Sequence, residues 1–359
     1  MHVLRESEKE QHVYVTYGRQ FAAYRWYKPI IVGVLFVIFY VLFVVLLTLG
    51  LQLALGYSTG DAANILEYIS TGYDDLNVVD WQGSLINLGG VAVMIPALAL
   101  AAVIVRDRPF SSYSSSRGGW SGKVFFRCLL VAIICVSLPI AVLAFMESGH
   151  GPVNKFTIIS FVVLTVIGPL QCIAEEYVYR GLLMQTLGSW FRIPVVAVIL
   201  QAVIFAASHP YNMIGKAEIV ISGVAFALAA WIGRGVEASA ALHVANNMAI
   251  FYLVGLDLTK ISSEATMDSV IATAIIYGVY VAVIYFISRK TKLFDRVRKN
   301  DAARANEKYV EKKRRKAEKK GKTYEPPAGI PLGRAAVPET VEADVTPVSG
   351  DEAGKHFAK

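Results

Sequence analysis

Cysteine is scarce in this chain of 359 residues. The three present, Cys128, Cys135 and Cys172, fall at or within apolar stretches, with no spacing that suits a disulfide framework or a metal cluster. They read as small apolar packing residues, Cys172 included, although it stands one turn before a pair of glutamates. Positive charge is missing from residues 55–86, which carry Asp61, Glu67, Asp74, Asp75 and Asp80 but no lysine or arginine. No internal repeat occurs, and no stretch reads as a second folded domain. There is no His-Glu-x-x-His, so a zinc-binding helix of the membrane-metalloprotease kind is not supported, and no pair of aspartates sits in apolar segments. Gly56-Tyr57-Ser58-Thr59-Gly60 matches the nucleophile-elbow pattern of serine hydrolases. It falls where an apolar run ends rather than on a strand-to-helix turn, which sets it aside.

Apolar sequence is what the chain has in abundance. A hydrophobic content of 55% and a mean hydropathy of +0.48 are too high for a soluble protein. Runs long enough to cross a bilayer lie at about 29–54, 87–105, 128–146, 157–187, 193–209, 219–233, 237–256 and 270–288. These give about eight transmembrane helices if 157–187 is one tilted or overhanging span. The expected fold class is therefore an all-α polytopic membrane protein whose helices surround a buried polar cavity. An even number of spans puts both termini on one side. Arg5, Lys9, Arg19, Arg25 and Lys28 precede the first run, Arg106, Arg108, Arg117, Lys123 and Arg127 follow the second, and Arg289, Lys290 and Lys292 follow the last. By the positive-inside rule both termini are cytoplasmic. The first run begins near Pro29 and is too long for the core of a cleavable signal, so it is expected to remain as a span.

Three regions follow from these boundaries. Residues 1–28 form a cytoplasmic N-terminal segment in which Tyr17, Phe21 and Tyr24 recur at helical spacing, as in a segment lying at the membrane interface or in a plain aromatic belt. Residues 29–288 form the transmembrane domain. Within it, 55–86 is expected to hold a short external helix and 106–127, rich in Ser, Gly and Arg, to be a cytoplasmic loop. Residues 289–359 form a basic tail, a solvated helix at first and then too poor in apolar residues to fold. Most of the net charge of +7 lies there. Anionic lipid is its expected partner; nucleic acid is not expected, because the lipid surface lies nearer.

Chemistry-bearing residues concentrate between 155 and 255. Glu175, Glu176 and Arg180 stand in an apolar stretch running from Ile158 to Leu187, where ionisable groups are costly and mark function. On a helix Glu176 and Arg180 are i,i+4 partners, whereas Glu175 is rotated by about 100°. One glutamate is paired and one is left over. His209 ends the next apolar segment, with Phe205 a turn before it; His243 sits in a later one, with Asn247 on the same face a turn on. The segments holding Glu175 and His209 are joined by a short turn around Gly188–Pro194, with both residues about equally far from it. Antiparallel packing would bring them to one level.

Glu-Glu-x-x-x-Arg, then Phe205-x-x-x-His209, then His243-x-x-x-Asn247, in order on consecutive apolar segments, resembles the CAAX prenyl protease and bacteriocin-processing (Abi, CPBP) family of intramembrane proteases. The resemblance covers about residues 155–255. It implies an endopeptidase of the bacterial cytoplasmic membrane that hydrolyses membrane-associated peptides or proteins. Glu175 with His209 would orient and deprotonate the attacking water, and His243 with Asn247 would donate hydrogen bonds to the developing oxyanion. Glu176 and Arg180 would hold the helix geometry. A carboxylate in a low-dielectric site is in general more basic than one in water, as a general base near neutral pH must be. The same groups support a metal-free reaction, which is the favoured reading; zinc held by Glu175, His209 and His243 is the alternative. The depth of the motifs leaves open whether the site opens to the cytoplasm or sideways to lipid. Two rival classes remain: a proton-coupled transporter using Glu175 and the histidines as a relay, and a catalytically silent scaffold. Against the transporter, the chain shows no paired broken helices or two-half symmetry.

Overall fold

The computed structural model of the protein describes residues 14–55, 77–261, 264–295 and 301–326. The Gly56–Gly60 motif, most of the expected external helix in 55–86 and the C-terminal end from 327 lie outside the described residues. Among the described residues every regular element is helical, and the only β-type pairing is an isolated bridge between Ser115 and Gly235.

Each apolar run forms a helix, named here in chain order: α1 Lys28–Leu55, α2 Trp81–Val105, α3 Gly122–Ser148, α4 Ile158–Phe191, α5 Pro194–Ala207, α6 Met213–Ile232, α7 Val236–Gly255 and α8 Met267–Lys290. Six of them, α1 to α4, α6 and α8, are long and apolar enough to cross a membrane; α5 is apolar but shorter. The chain is thus a multi-pass integral membrane protein. At 34 residues α4 would measure about 50 Å as a regular α-helix, well over a hydrocarbon thickness of about 30 Å. Lipid-facing leucines, isoleucines and phenylalanines remain exposed along α1, α3, α4 and α8, which is the surface a bilayer covers.

Burial of α7 explains its composition. Ten consecutive residues, Val236 to Ala245, are at most 4% exposed. Five of them are Ala238, Ser239, Ala240, Ala241 and Ala245, small side chains that let neighbours approach closely. Helices α3, α4, α6 and α8 pack around α7, so its polar residues face protein instead of lipid. Close approach recurs at Gly223 on α6, where a Cβ would lie 2.9 Å from the Ala202 backbone of α5. It recurs again at Gly181 on α4, where a Cβ would meet the Tyr113 carbonyl at 2.7 Å.

The flanking segments pack into the protein more closely than their composition suggests. In the N-terminal segment the described aromatic residues Tyr17 and Phe21 face protein rather than an interface. Among its described residues Tyr14 and Val15 are helical, Tyr17–Gln20 form a 3-10 turn, and Tyr14, Val15, Tyr17 and Phe21 are buried in the protein. Aromatic spacing alone could not distinguish a lipid-facing stripe from a protein-facing one. The 106–127 segment, expected as a cytoplasmic loop, is packed into the protein: Asp107, Arg108, Ser112, Tyr113, Ser114, Ser115 and Arg117 are buried. Arg108 donates to Gln185 at 2.6 Å, and Arg117 pairs with Glu237 at 2.6 Å. Its serines reflect dense backbone-type hydrogen bonding rather than exposure. The start of the tail is likewise docked: a ninth helix, α9 (Asp301–Glu318), buries Ala302, Ala303, Asn306 and Val310. Asn306 accepts from the Ala22 amide and donates to the Gln20 carbonyl, both at 2.7 Å.

Candidate active site

Local sequence sets the site's frame. Helix α4 starts with a capping box, Thr157 and Ser160 bonding each other's backbone amides, and ends at Arg192, whose left-handed φ of 59° turns the chain directly into α5 through Pro194. This two-residue turn makes α4 and α5 antiparallel neighbours. Immediately after Glu176 the backbone changes to a π-helix over Tyr177–Met184. Such wider turns concentrate at functional sites. Nothing in the residue pattern announced it.

Glu176 lies at the hub of a buried network. Its Oε1 accepts from Arg180 Nη1 at 2.9 Å and from His243 Nδ1 at 3.0 Å, and its Oε2 accepts from Ser239 Oγ. Arg180 is fully buried, with its guanidinium 4.6 Å from the Phe205 ring and 4.9 Å from the Phe226 ring, and Nη2 donating to the Gly223 carbonyl at 3.3 Å. Two aromatic faces and a carboxylate together replace the water that the cation has lost. Phe205 thereby serves two groups, since its ring also lies 4.6 Å from that of His209.

Glu175 faces the other way. Its side chain is 8% exposed, and Oε2 stands 3.4 Å from His243 Nε2 without a hydrogen-bond partner of its own. His243 is therefore set between the two glutamates, Nδ1 on Glu176 and Nε2 toward Glu175, with its ring stacked on Phe226 at 4.8 Å. Asn247 Nδ2 lies 3.3 Å from the same Nε2 and 3.5 Å from Gln171 Oε1. His209 Nδ1 lies 2.7 Å from the Phe205 carbonyl. A carbonyl only accepts, so Nδ1 carries the proton and the neutral ring's acceptor is Nε2.

Glu175, Phe205, His209, His243 and Asn247 all line one cavity of about 310 Å³. The structure thus brings the four groups read from the sequence onto one space, and leaves Glu176 and Arg180 behind its wall. Ser239, Gln171, Phe226 and the bond from His243 to Glu176 were missed. Ser239 could have been found, since it is four residues before His243 and shares its helix face. Phe226 and Gln171 carry no local signal. Among the described residues no group of three His, Cys, Asp or Glu side chains is placed to hold a metal ion. The donors of the zinc alternative are present, but the side chains as they stand do not gather into a ligand set.

Helices and site together define a class: a multi-pass helical membrane protein with a buried glutamate–histidine–asparagine cavity enclosed by its own helices. Within that class, residues 155–249 match the family model described as type II CAAX prenyl endopeptidase Rce1-like, the family that the three motifs resemble. The match runs from just before α4 to the middle of α7, under half of the chain, and contains Glu175, Glu176, Arg180, Phe205, His209, His243 and Asn247. Comparison with curated proteins and with solved structures gave no match.

Proposed function

We propose that the protein is an intramembrane endopeptidase that hydrolyses peptide bonds of membrane-associated peptides or proteins with water activated by Glu175. One observation carries the reading: an unbonded carboxylate, two histidines and an asparagine line the same cavity inside the segment that matches the family. A water held between Glu175 and His209 loses its proton to Glu175 as its oxygen attacks the peptide carbonyl carbon. Negative charge then develops on the carbonyl oxygen, and donors from Asn247 Nδ2 and His243 Nε2 stabilise it. Collapse breaks the C–N bond, and Glu175 returns its proton to the leaving nitrogen. Glu176 and Arg180 do not touch substrate; they fix the His243 ring and the α4 backbone.

The wider reading places eight spans in a bacterial cytoplasmic membrane with both termini in the cytoplasm, α5 and α7 completing the count. Exposed Lys312, Lys313, Arg315 and Lys316 on α9 would lie against anionic lipid. The reaction is written without a metal; zinc on Glu175, His209 and His243 would require those side chains to move together. The test is a quenched peptide library cleaved by the full chain in nanodiscs, beside Glu175→Gln. Cleavage by the wild type and none by the folded variant is expected. Equal cleavage by both sinks the role of Glu175, and none by either sinks the protease reading.

A further inference from the structure

The two ends of the helix bundle differ in charge and in closure. Every arginine among the described residues, except the buried Arg180, lies at the end where α1, α3, α5 and α7 begin, or on α9 docked there. The opposite end has Lys155, Lys216 and Lys260 and no arginine, with Asp80, Glu147, Asp257, Glu264 and Asp268 among its acids. It also receives the 55–86 connection, which has no lysine or arginine at all. Sorting of this kind is what fixes orientation in a membrane, with the arginine-rich end cytoplasmic.

The cavity runs toward the arginine-poor end. Its deep wall is Glu175, Phe226, His243 and Tyr277; its outer wall is Tyr211 and Gly215, where α5 passes into α6, and Lys260, Glu264 and Ala265, where α7 passes into α8. In the other direction the way is packed shut. Val236 to Leu242 have no exposed surface, and the 107–121 segment lies across the start of α7. There Arg117 pairs with Glu237, the Ser121 amide donates to Glu237 at 2.8 Å, and the Ser116 amide donates to the Arg234 carbonyl at 3.1 Å. The Ser/Arg-rich segment therefore acts as the floor plug of the site.

We infer that the site takes its peptide from the extracytoplasmic side of the membrane, through the opening between the α5–α6 and α7–α8 connections. The inference rests on the endopeptidase reading for what enters, and on charge and packing for where it enters. Substrates are then chain segments presented at the outer face or descending into the bilayer from it. Soluble cytoplasmic C-termini reach only the plugged end.

The test separates access from chemistry. Glu264→Cys at the opening and Lys292→Cys after α8, both exposed positions, are treated with a membrane-impermeant maleimide in right-side-out and in inverted vesicles. The wild type, whose cysteines are buried or half-buried, is the blank, and Ala265→Cys is the second opening variant. Labelling at Glu264→Cys and Ala265→Cys is expected in right-side-out vesicles and lost in inverted ones, with Lys292→Cys the reverse. A water-soluble quenched peptide given to orientation-sorted proteoliposomes should be cleaved only when it is on the Glu264 side. Labelling of Glu264→Cys only in inverted vesicles, or cleavage only from the Lys292 side, overturns the inference while leaving the protease reading intact. The expected labelling without cleavage from either side upholds the access geometry and refutes the protease.

Discussion

Glu176→Gln tests the buried network most directly. The carboxylate accepts three hydrogen bonds, from Arg180, His243 and Ser239, and among the described residues it is the only anion in a salt bridge with the fully buried Arg180. Glutamine keeps the volume but brings two N–H donors into a space already filled with donors, and it removes the charge. Stranding one member of a buried ion pair costs about 3–5 kcal/mol. The aromatic faces of Phe205 and Phe226 and the Gly223 carbonyl remain, so the lower end is expected: about 3 kcal/mol, or a factor on the order of 100 in the folded-to-unfolded ratio. The assay is thermal and denaturant unfolding of wild type, Glu176→Gln, Arg180→Met and the double variant in one detergent. If the cost is the stranded charge, the double variant recovers at least half of the Glu176→Gln loss, about 1.5 kcal/mol, and the coupling energy exceeds that figure by whatever Arg180→Met costs alone. A Glu176→Gln protein as stable as the wild type, or losses that simply add in the double variant, would refute the reasoning.

Ser239→Ala should lower stability by about 1–2 kcal/mol, because it removes one donor to a buried carboxylate, and should slow peptide cleavage through a looser His243 ring; unchanged values on both counts would make Ser239 a bystander. Gly223→Val should destabilise the chain by forcing α5 from α6 and pulling the Gly223 carbonyl from Arg180, which circular dichroism melts would show as a lower midpoint than Gly223→Ala. Truncation after Lys299 should lower the unfolding temperature, since Tyr17, Phe21 and the Gln20 and Ala22 backbone groups lose α9, while peptide cleavage well below that temperature stays at the wild-type level. Prolonged treatment with a strong zinc chelator should leave cleavage unchanged on the metal-free reading; loss restored by added zinc would transfer the reaction to the metal alternative.

Much of this protein can be read along the chain because lipid punishes exceptions. Unbroken apolar runs become helices, since no other arrangement pairs their backbone groups in hydrocarbon. Within such runs each charged side chain stands out, so Glu175, Glu176, Arg180, His209 and His243 could be singled out before any coordinates, as could the pairing of Glu176 with Arg180, which depends only on helical spacing. The sequence alone could not tell which groups meet across helices. That His243 sits between both glutamates, that Phe226 and Phe205 both lie against Arg180, and that α4 widens into a π-helix after Glu176 depend on how α4, α5, α6 and α7 cross. Polar segments outside the apolar runs were least legible. Water and a buried hydrogen-bonding partner satisfy a serine or arginine equally well, so composition could not show that residues 107–121 plug one end of the bundle or that α9 clasps the N-terminal segment. Only the tertiary packing decides between those two partners.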